Sequence, residues 1–261
     1  MSYAISNIPF AKLINTRDLG GMPAAGGKHI RRKAFLRAAS LYQLVPSDGE
    51  ALREDYCVAW DIDLRIPNEL TRQPDTPIDG VEYRHYQLRE DIMDNFQREK
   101  GETIGKMVDR MPSMPQMYLN MVTKDNSLEA LRNIFRLFFE EVVPGEKAAL
   151  FHCSEGKDRT GIVAALLEDL VGVPRDLIFE DYMLSNEAFE KRNGWYYRFT
   201  RLIFGKKRAD SFRNTYQAAE FMLEDLFTYL EDEYGGTEGF FREALGFTQT
   251  EIDAFRKKVL E

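Results

Sequence analysis

Between Lys147 and Val171 the chain has little freedom in what it can become. Lys147-Ala-Ala-Leu-Phe-His152 is a short apolar run of β character, and Ile162 to Val171 is apolar on most sides, broken only by Glu168 and Asp169. The first reads as a strand and the second as a buried helix, so residues 153–161 must turn one directly into the other. Gly172 ends this helix, and Pro174 is expected in the first turn of the next. Two more β-like runs, Cys57–Leu64 and the weaker Val81–Tyr86, alternate with helical patterns, which predicts an α/β fold around a sheet. Leu128, Leu131, Ile134, Phe135, Phe138 and Val142 predict an amphipathic helix over 127–142, stopped by Pro144-Gly145. Ser47 with Glu50, and Thr248 with Glu251, have the spacing of capping boxes; Phe247 and Ile252 are placed to staple the second.

Composition narrows the function classes. The chain has 261 residues, 44% hydrophobic and 30% charged, and shows no internal repeat, so it reads as one core-forming domain over 1–261. Lys plus Arg is 35 against 43 Asp plus Glu, a net charge of −8 that argues against a nucleic-acid binder. Two cysteines exclude a disulfide scaffold and a multi-cysteine zinc site, and His29, His85 and His152 match no metal-ligand spacing. No metal and no other cofactor is expected. Met1 to Phe10 has no positive n-region and no 18-residue apolar run exists anywhere, so the cytoplasm is the default location, with export lacking a cleavable signal left open.

Two stretches read as helical cap insertions. One, 89–124, carries Met93, Met107, Met111, Met114, Met117 and Met121, which suit adaptable packing or substrate contact. The other is 189–215. Its Lys191–Arg213 portion holds eight basic side chains against the single acid Asp210, interleaved with Trp195, Tyr196, Tyr197, Phe199, Phe204 and Phe212. It is either a solvated face or a surface for an anionic substrate or anionic lipid.

The chemistry concentrates in Phe151-His152-Cys153-Ser154-Glu155-Gly156-Lys157-Asp158-Arg159-Thr160-Gly161. At a strand–loop–helix junction, backbone N–H groups and the positive end of a helix dipole converge on an anion. A cysteine there ionises easily, and its thiolate is a strong nucleophile. Arg159 can return over the loop and offer its planar fork to two phosphate oxygens. Gly156 permits a tight turn with inward amides. Thr160 is placed to hydrogen-bond the sulfur as it leaves. With flanking His152, this is the phosphatase signature His-Cys-x5-Arg-Thr, in a loop of Ser154, Glu155, Gly156, Lys157, Asp158 and Arg159. A buried structural cysteine would explain neither Arg159 nor the glycine.

The expected reaction is two-step phosphoryl transfer through a phosphocysteine on Cys153. Its general acid needs a raised pKa. Asp158 fits if bound phosphate raises it; otherwise Asp158 only orients Arg159. Asp63, at the carboxyl end of a strand expected to be parallel to the one entering the loop, competes for the role, unless it is paired with Arg65 or Arg17. Cys57, at the opposite end of its strand and roughly 20 Å from Cys153, is expected to be a small core residue unable to reach it.

The sequence resembles the bacterial protein tyrosine/serine phosphatases of the atypical, lipid-phosphatase-like type. The resemblance rests on Asn15-Thr-Arg17-Asp18-Leu-Gly20-Gly21, Asp63-Leu64-Arg65-Ile-Pro-Asn-Glu69, His152 to Gly161, Asp181-Tyr182-Met-Leu-Ser185-Asn186 and the tail Tyr234 to Phe247, and it covers nearly the whole chain. It implies a tyrosine-phosphatase-like α/β fold, a central mostly parallel sheet flanked by helices with cap insertions. It implies activity on phosphotyrosine, sometimes phosphoserine or phosphothreonine, and on phosphoinositides. Cys153 would be the nucleophile, Arg159 the phosphate clamp, Asp158 the acid, and Lys157 the loop lysine associated with phosphoinositides. Glu155 departs from the family, which has a small residue there; unless it points outward, its carboxylate repels a multiply phosphorylated head group. Two other readings compete: an inositol polyphosphatase of the same fold and a phosphate-binding module without turnover. Expected partners are therefore a phosphorylated protein or phosphoinositide, with anionic lipid as a peripheral contact.

Overall fold

A computed structural model describes residues 7–89, 113–206, 209–210 and 217–261. Its five strands are β1 (Arg17–Asp18), β2 (Phe35–Ala38), β3 (Val58–Asp63), β4 (Glu82–His85) and β5 (Ala148–His152). They form one sheet in the order β1-β2-β5-β3-β4; β1 runs antiparallel to β2 and every other pair is parallel. The α/β expectation is met, and so are the three strands read from sequence. Strand β2 has no equivalent among them: four residues are too few to show a period, and they are buried on both faces.

The sheet separates two apolar layers. On one side Phe35, Trp60, Ile62, Ala149 and Phe151 pack against the larger core, which includes helices α4 (Asp125–Glu140) and α5 (Asp158–Leu170). On the other, Leu36, Ala38, Val58, Ala148 and Leu150 meet Leu52 of α1 (Pro46–Glu54). This alternation is the period of two that a β-strand imposes. Helix α2 (Pro67–Arg72) follows β3, and α3 (Met114–Thr123) precedes α4. After α5 come α6 (Arg175–Met183), α7 (Ser185–Ala188), α8 (Glu190–Phe204), α9 (Glu220–Tyr234), α10 (Thr237–Glu243) and α11 (Gln249–Val259).

Several local readings change. Helix α1 begins at Pro46 with Val45 as its N-cap, so Ser47 lies inside the helix and caps nothing; proline's fixed φ starts the turn one residue earlier. Its Asp48 carboxylate accepts the amides of Ala11, Lys12 and Leu13 and pins the N-terminal segment. Pro174 is the N-cap of α6, one residue before its first turn. Cys57 is only half-buried, because it sits at φ 56° in the turn that enters β3. It precedes β3 while Cys153 follows parallel β5, and both thiols are free. The capping box of Thr248 and Glu251 is present at the start of α11. Of the methionines in 89–124, Met121 is buried and Met114 packs on the core; Met93, Met107 and Met111 lie outside the described residues, as do Lys207, Arg208, Phe212 and Arg213.

Candidate active site

Parallel register brings three strand ends to one edge: Ala38 of β2 and Asp63 of β3 both pair with His152 of β5. The next residue, Cys153, is buried, and five residues later α5 begins. In residues 154–159 the amides precede the first closed turn of that helix, so their N–H groups have no intrahelical acceptor and carry its positive dipole end. Gly156 makes the turn. It has φ 65°, and a Cβ there would stand 2.2 Å from the carbonyl oxygen of Ala38.

The thiol is tuned by opposing effects. Burial pushes its pKa up, but the Arg159 guanidinium and the hydroxyl and amide of Thr160 pull it below the ordinary value. The Thr160 hydroxyl is buried and has no other hydrogen-bond partner. Arg159 is itself buried, and Glu69 of α2 holds it in a two-pronged pair, Nη1–Oε2 at 2.5 Å and Nη2–Oε1 at 2.8 Å. Glu69 also accepts the Ser154 hydroxyl and, at 3.0 Å, the Ile66 amide. Burial raises the Glu69 pKa, but Arg159 and these donors outweigh it and bring it to about 2.

Asp158 is half-buried at the first position of α5. Its Oδ1 accepts from Lys157 Nζ at 2.8 Å and from the Tyr118 hydroxyl at 2.6 Å. Burial works to raise its pKa, and Lys157 and Tyr118 overcome it, leaving the carboxyl below its usual range. The Lys157 side chain is fully buried against it. Glu155 is paired: Arg192 of α8 meets its Oε1 at 2.8 Å.

The remaining sequence candidates lie behind the loop. Asp63 is completely buried and bound by Arg65 through both carboxylate oxygens, with Tyr83 donating to it at 3.2 Å. His152 lies 3.0 Å from Asp61 and 3.4 Å from Asp75. Burial would lower its pKa, but these carboxylates lift it to about 9, so it is an imidazolium at neutral pH. Asp61, Asp75 and His152 form the one group of metal-ligand type among the described residues. Arg65 Nη2 already sits on the same Asp75 oxygen, so a cation there would face a guanidinium.

Three supporting residues stood in the quoted motifs with no role read for them, Asn15, Glu69 and Asp181; Arg17, weighed as a partner of Asp63, pairs with Asp181 instead. Asn15, in a left-handed backbone at φ 54°, donates from Nδ2 to the Glu155 carbonyl at 2.7 Å. Asp181 bridges Arg17 at 2.7 Å and Arg37 in full burial, and Arg37 Nη2 donates to the Gly156 carbonyl at 2.8 Å. Arg37 and Tyr118 had no sequence signal, because each lies in an apolar run far from the loop. Arg89 has none either; it adds positive charge near Cys153, Arg159 and Asp158.

At the carboxyl edge of the parallel strands, a buried cysteine at a strand–loop–helix junction has its thiol pKa drawn down by an arginine guanidinium that α2 holds. A profile of the tyrosine phosphatase family matches residues 8–261, and the chain belongs to that family; it is a phosphatase. It is 29% identical over 245 residues to a tyrosine-protein phosphatase of Nostoc commune, covering 91% of this chain and 78% of that one. It is 28% identical over 181 residues to a putative tyrosine-protein phosphatase of Cupriavidus necator, with 69% and 63% covered. It is 26% identical over 178 residues to the triple specificity protein phosphatase PtpB of Mycobacterium tuberculosis, with 64% and 62% covered.

Proposed function

We propose that this phosphatase hydrolyses phosphotyrosine, and phosphoserine or phosphothreonine where the side chain reaches, through a phosphocysteine. The observation that carries the reading is the buried thiol of Cys153, drawn toward thiolate by Arg159 and Thr160 at the start of α5. In the first step Cys153 Sγ attacks phosphorus, the S–P bond forms as the P–O bond breaks, and Asp158 gives its proton to the departing oxygen. In the second, water attacks phosphorus, its proton goes to the Asp158 carboxylate, and the thiolate leaves with Thr160 donating to it. The loop amides of Ser154 to Arg159 and the Arg159 guanidinium hold the equatorial oxygens, so catalysis is positioning plus electrostatics. Asp158, rather than the Arg65-bound Asp63, is the acid in this scheme: its side chain is partly exposed where that of Asp63 is fully buried, and it is next to the clamp. His152 and Asp63 support the loop from behind.

A second substrate class is favoured by one feature. Arg192 neutralises Glu155, removing the repulsion a phosphoinositide head group would meet, and ties the basic helix α8 to the loop. The discriminating experiment is a phosphate-release panel of phosphopeptides, phosphoinositides and soluble inositol phosphates, with Cys153→Ser as control. Loss of all turnover in a folded Cys153→Ser variant is expected; retained turnover would overturn the mechanism. Strong preference for soluble inositol phosphates would favour an inositol polyphosphatase, and phosphopeptide binding without release by wild type a binding module.

A further inference from the structure

Helix α8 turns large apolar side chains to solvent. Trp195 is 53% exposed, Phe199 47%, Leu202 85% and Ile203 53%. At 3.6 residues per turn these four fall within an arc of about 100°, a stripe along the helix rather than scattered positions. The opposite side packs on the protein, where Asn193 is buried and the Tyr197 hydroxyl donates to Asp210 at 2.8 Å, although Phe204 in the last turn is exposed; on the stripe side Arg192 reaches the body at Glu155. Trp195 and Phe199 stack with ring centroids 5.2 Å apart, so the stripe is an ordered surface. Lys191 and Arg198 lie exposed along one edge of it. The chain as a whole carries −8, so a cationic edge along an aromatic stripe is a local exception.

We infer that α8 is a docking surface for an anionic lipid bilayer, inserting Trp195, Phe199, Leu202 and Ile203 at the interface while Lys191 and Arg198 meet the head groups. The charge argues for this occupant. An interfacial helix combines an apolar face bearing Trp, Phe and Leu with Lys and Arg whose stems run back to the surface. Each such cation adds attraction to acidic lipid. A second copy of this chain would bring the same cationic edge against itself. Arg192 of this helix grips Glu155 of the phosphate loop, so docking through α8 sets the distance of the loop from the bilayer. This deepens the phosphatase reading by placing its substrates at an anionic membrane, whether they are lipid phosphates or phosphoproteins held there.

The test uses the full chain with Cys153→Ser, which separates binding from turnover. Vesicles of phosphatidylcholine alone are compared with vesicles containing about 30% phosphatidylserine. Binding at least about tenfold stronger to the anionic vesicles is expected, weakened by salt. Trp60 is buried, so a blue shift of tryptophan emission on binding reports Trp195. Phe199→Asp with Leu202→Asp should abolish the preference and the shift while leaving turnover of a soluble aryl phosphate unchanged in the Cys153 background. Equal binding to both vesicles, or unimpaired binding by the double variant, would overturn the inference. So would a wild-type dimer that the double variant dissolves and that binds no vesicle, which would make the stripe an interface between copies. A folded protein that docks but shows no turnover with Cys153 intact would instead count against the phosphatase reading alone.

Discussion

Asp158, the acid of the proposed mechanism, is the residue whose environment is most at odds with that role. A general acid must carry a proton, yet Lys157 and Tyr118 hold Asp158 below the usual carboxylate range in the free enzyme. The proton must therefore become stable only when a phosphate dianion arrives beside it, since a nearby like charge disfavours the ionised form. Removing the Tyr118 donor should make that easier. We expect Tyr118→Phe to move the alkaline limb of the kcat–pH profile upward by about 0.5–1 unit, and an unmoved limb would show that the carboxyl does not titrate in turnover. Asp158→Asn should slow poor leaving groups far more than good ones; equal losses would assign Asp158 to orienting Arg159. Glu69 acts through another group. It fixes both prongs of Arg159, so Glu69→Ala should cut kcat/KM by about 10–100-fold, the scale of a misplaced clamp. Its marker is a KM effect: KM for phosphate esters should rise even at temperatures well below the Tm, which falls as the buried Arg159 loses its carboxylate, and Glu69→Gln should recover part of the loss.

At the scale of elements, the loop is held by neighbours that sequence reading reached unevenly. Strand β5, helix α5 and the loop between them are contiguous, and their periodicity and motif made them legible without a structure. Arg37 lies in a strand too short to show a pattern, and Tyr118 lies on α3, forty residues before the carboxylate it touches. No one-dimensional pattern encodes such pairings, which are created when α3 and β2 pack around α5. Arg17 and Asp181 each stood in a quoted motif, but their partnership across 164 residues was not legible there. That partnership ties α6 to β1 and β2. Asp181→Ala would leave two arginines buried and unpaired, at a cost of about 3–5 kcal/mol, and should lower Tm by about 10 °C in thermal melts. Gly156→Ala should be worse for activity than for stability. The new Cβ must push the loop off Ala38, disturbing the amides that hold phosphate while most of the core stays intact.

For the whole molecule, the buried charges behind the sheet's carboxyl edge set how stability depends on pH. His152 has its pKa raised to about 9 and Asp75, through burial and its carboxylate neighbours, to about 7. Both values lie above those of an unfolded chain, about 6.5 and 3.9. Such groups stabilise fully below the unfolded pKa, and the contribution is lost as pH rises through the folded one. Glu69, lowered to about 2, acts oppositely: its contribution is present above about 4.5 and is lost as pH falls through the folded value. Tm should therefore peak at about pH 4–5 and decline as pH climbs from there to about 9, as Asp75 and then His152 lose their protons. Asp61 is the largest source of the rise at His152, ahead of Asp63 and Asp75. Asp61→Asn should lower Tm by about 2–8 °C at mildly acidic pH, and the gap from wild type should shrink above about pH 9, where the imidazole is neutral in both. A gap that stays constant across that range would mean that Asp61 contributes through packing, and that the imidazolium behind the catalytic loop does not carry this charge.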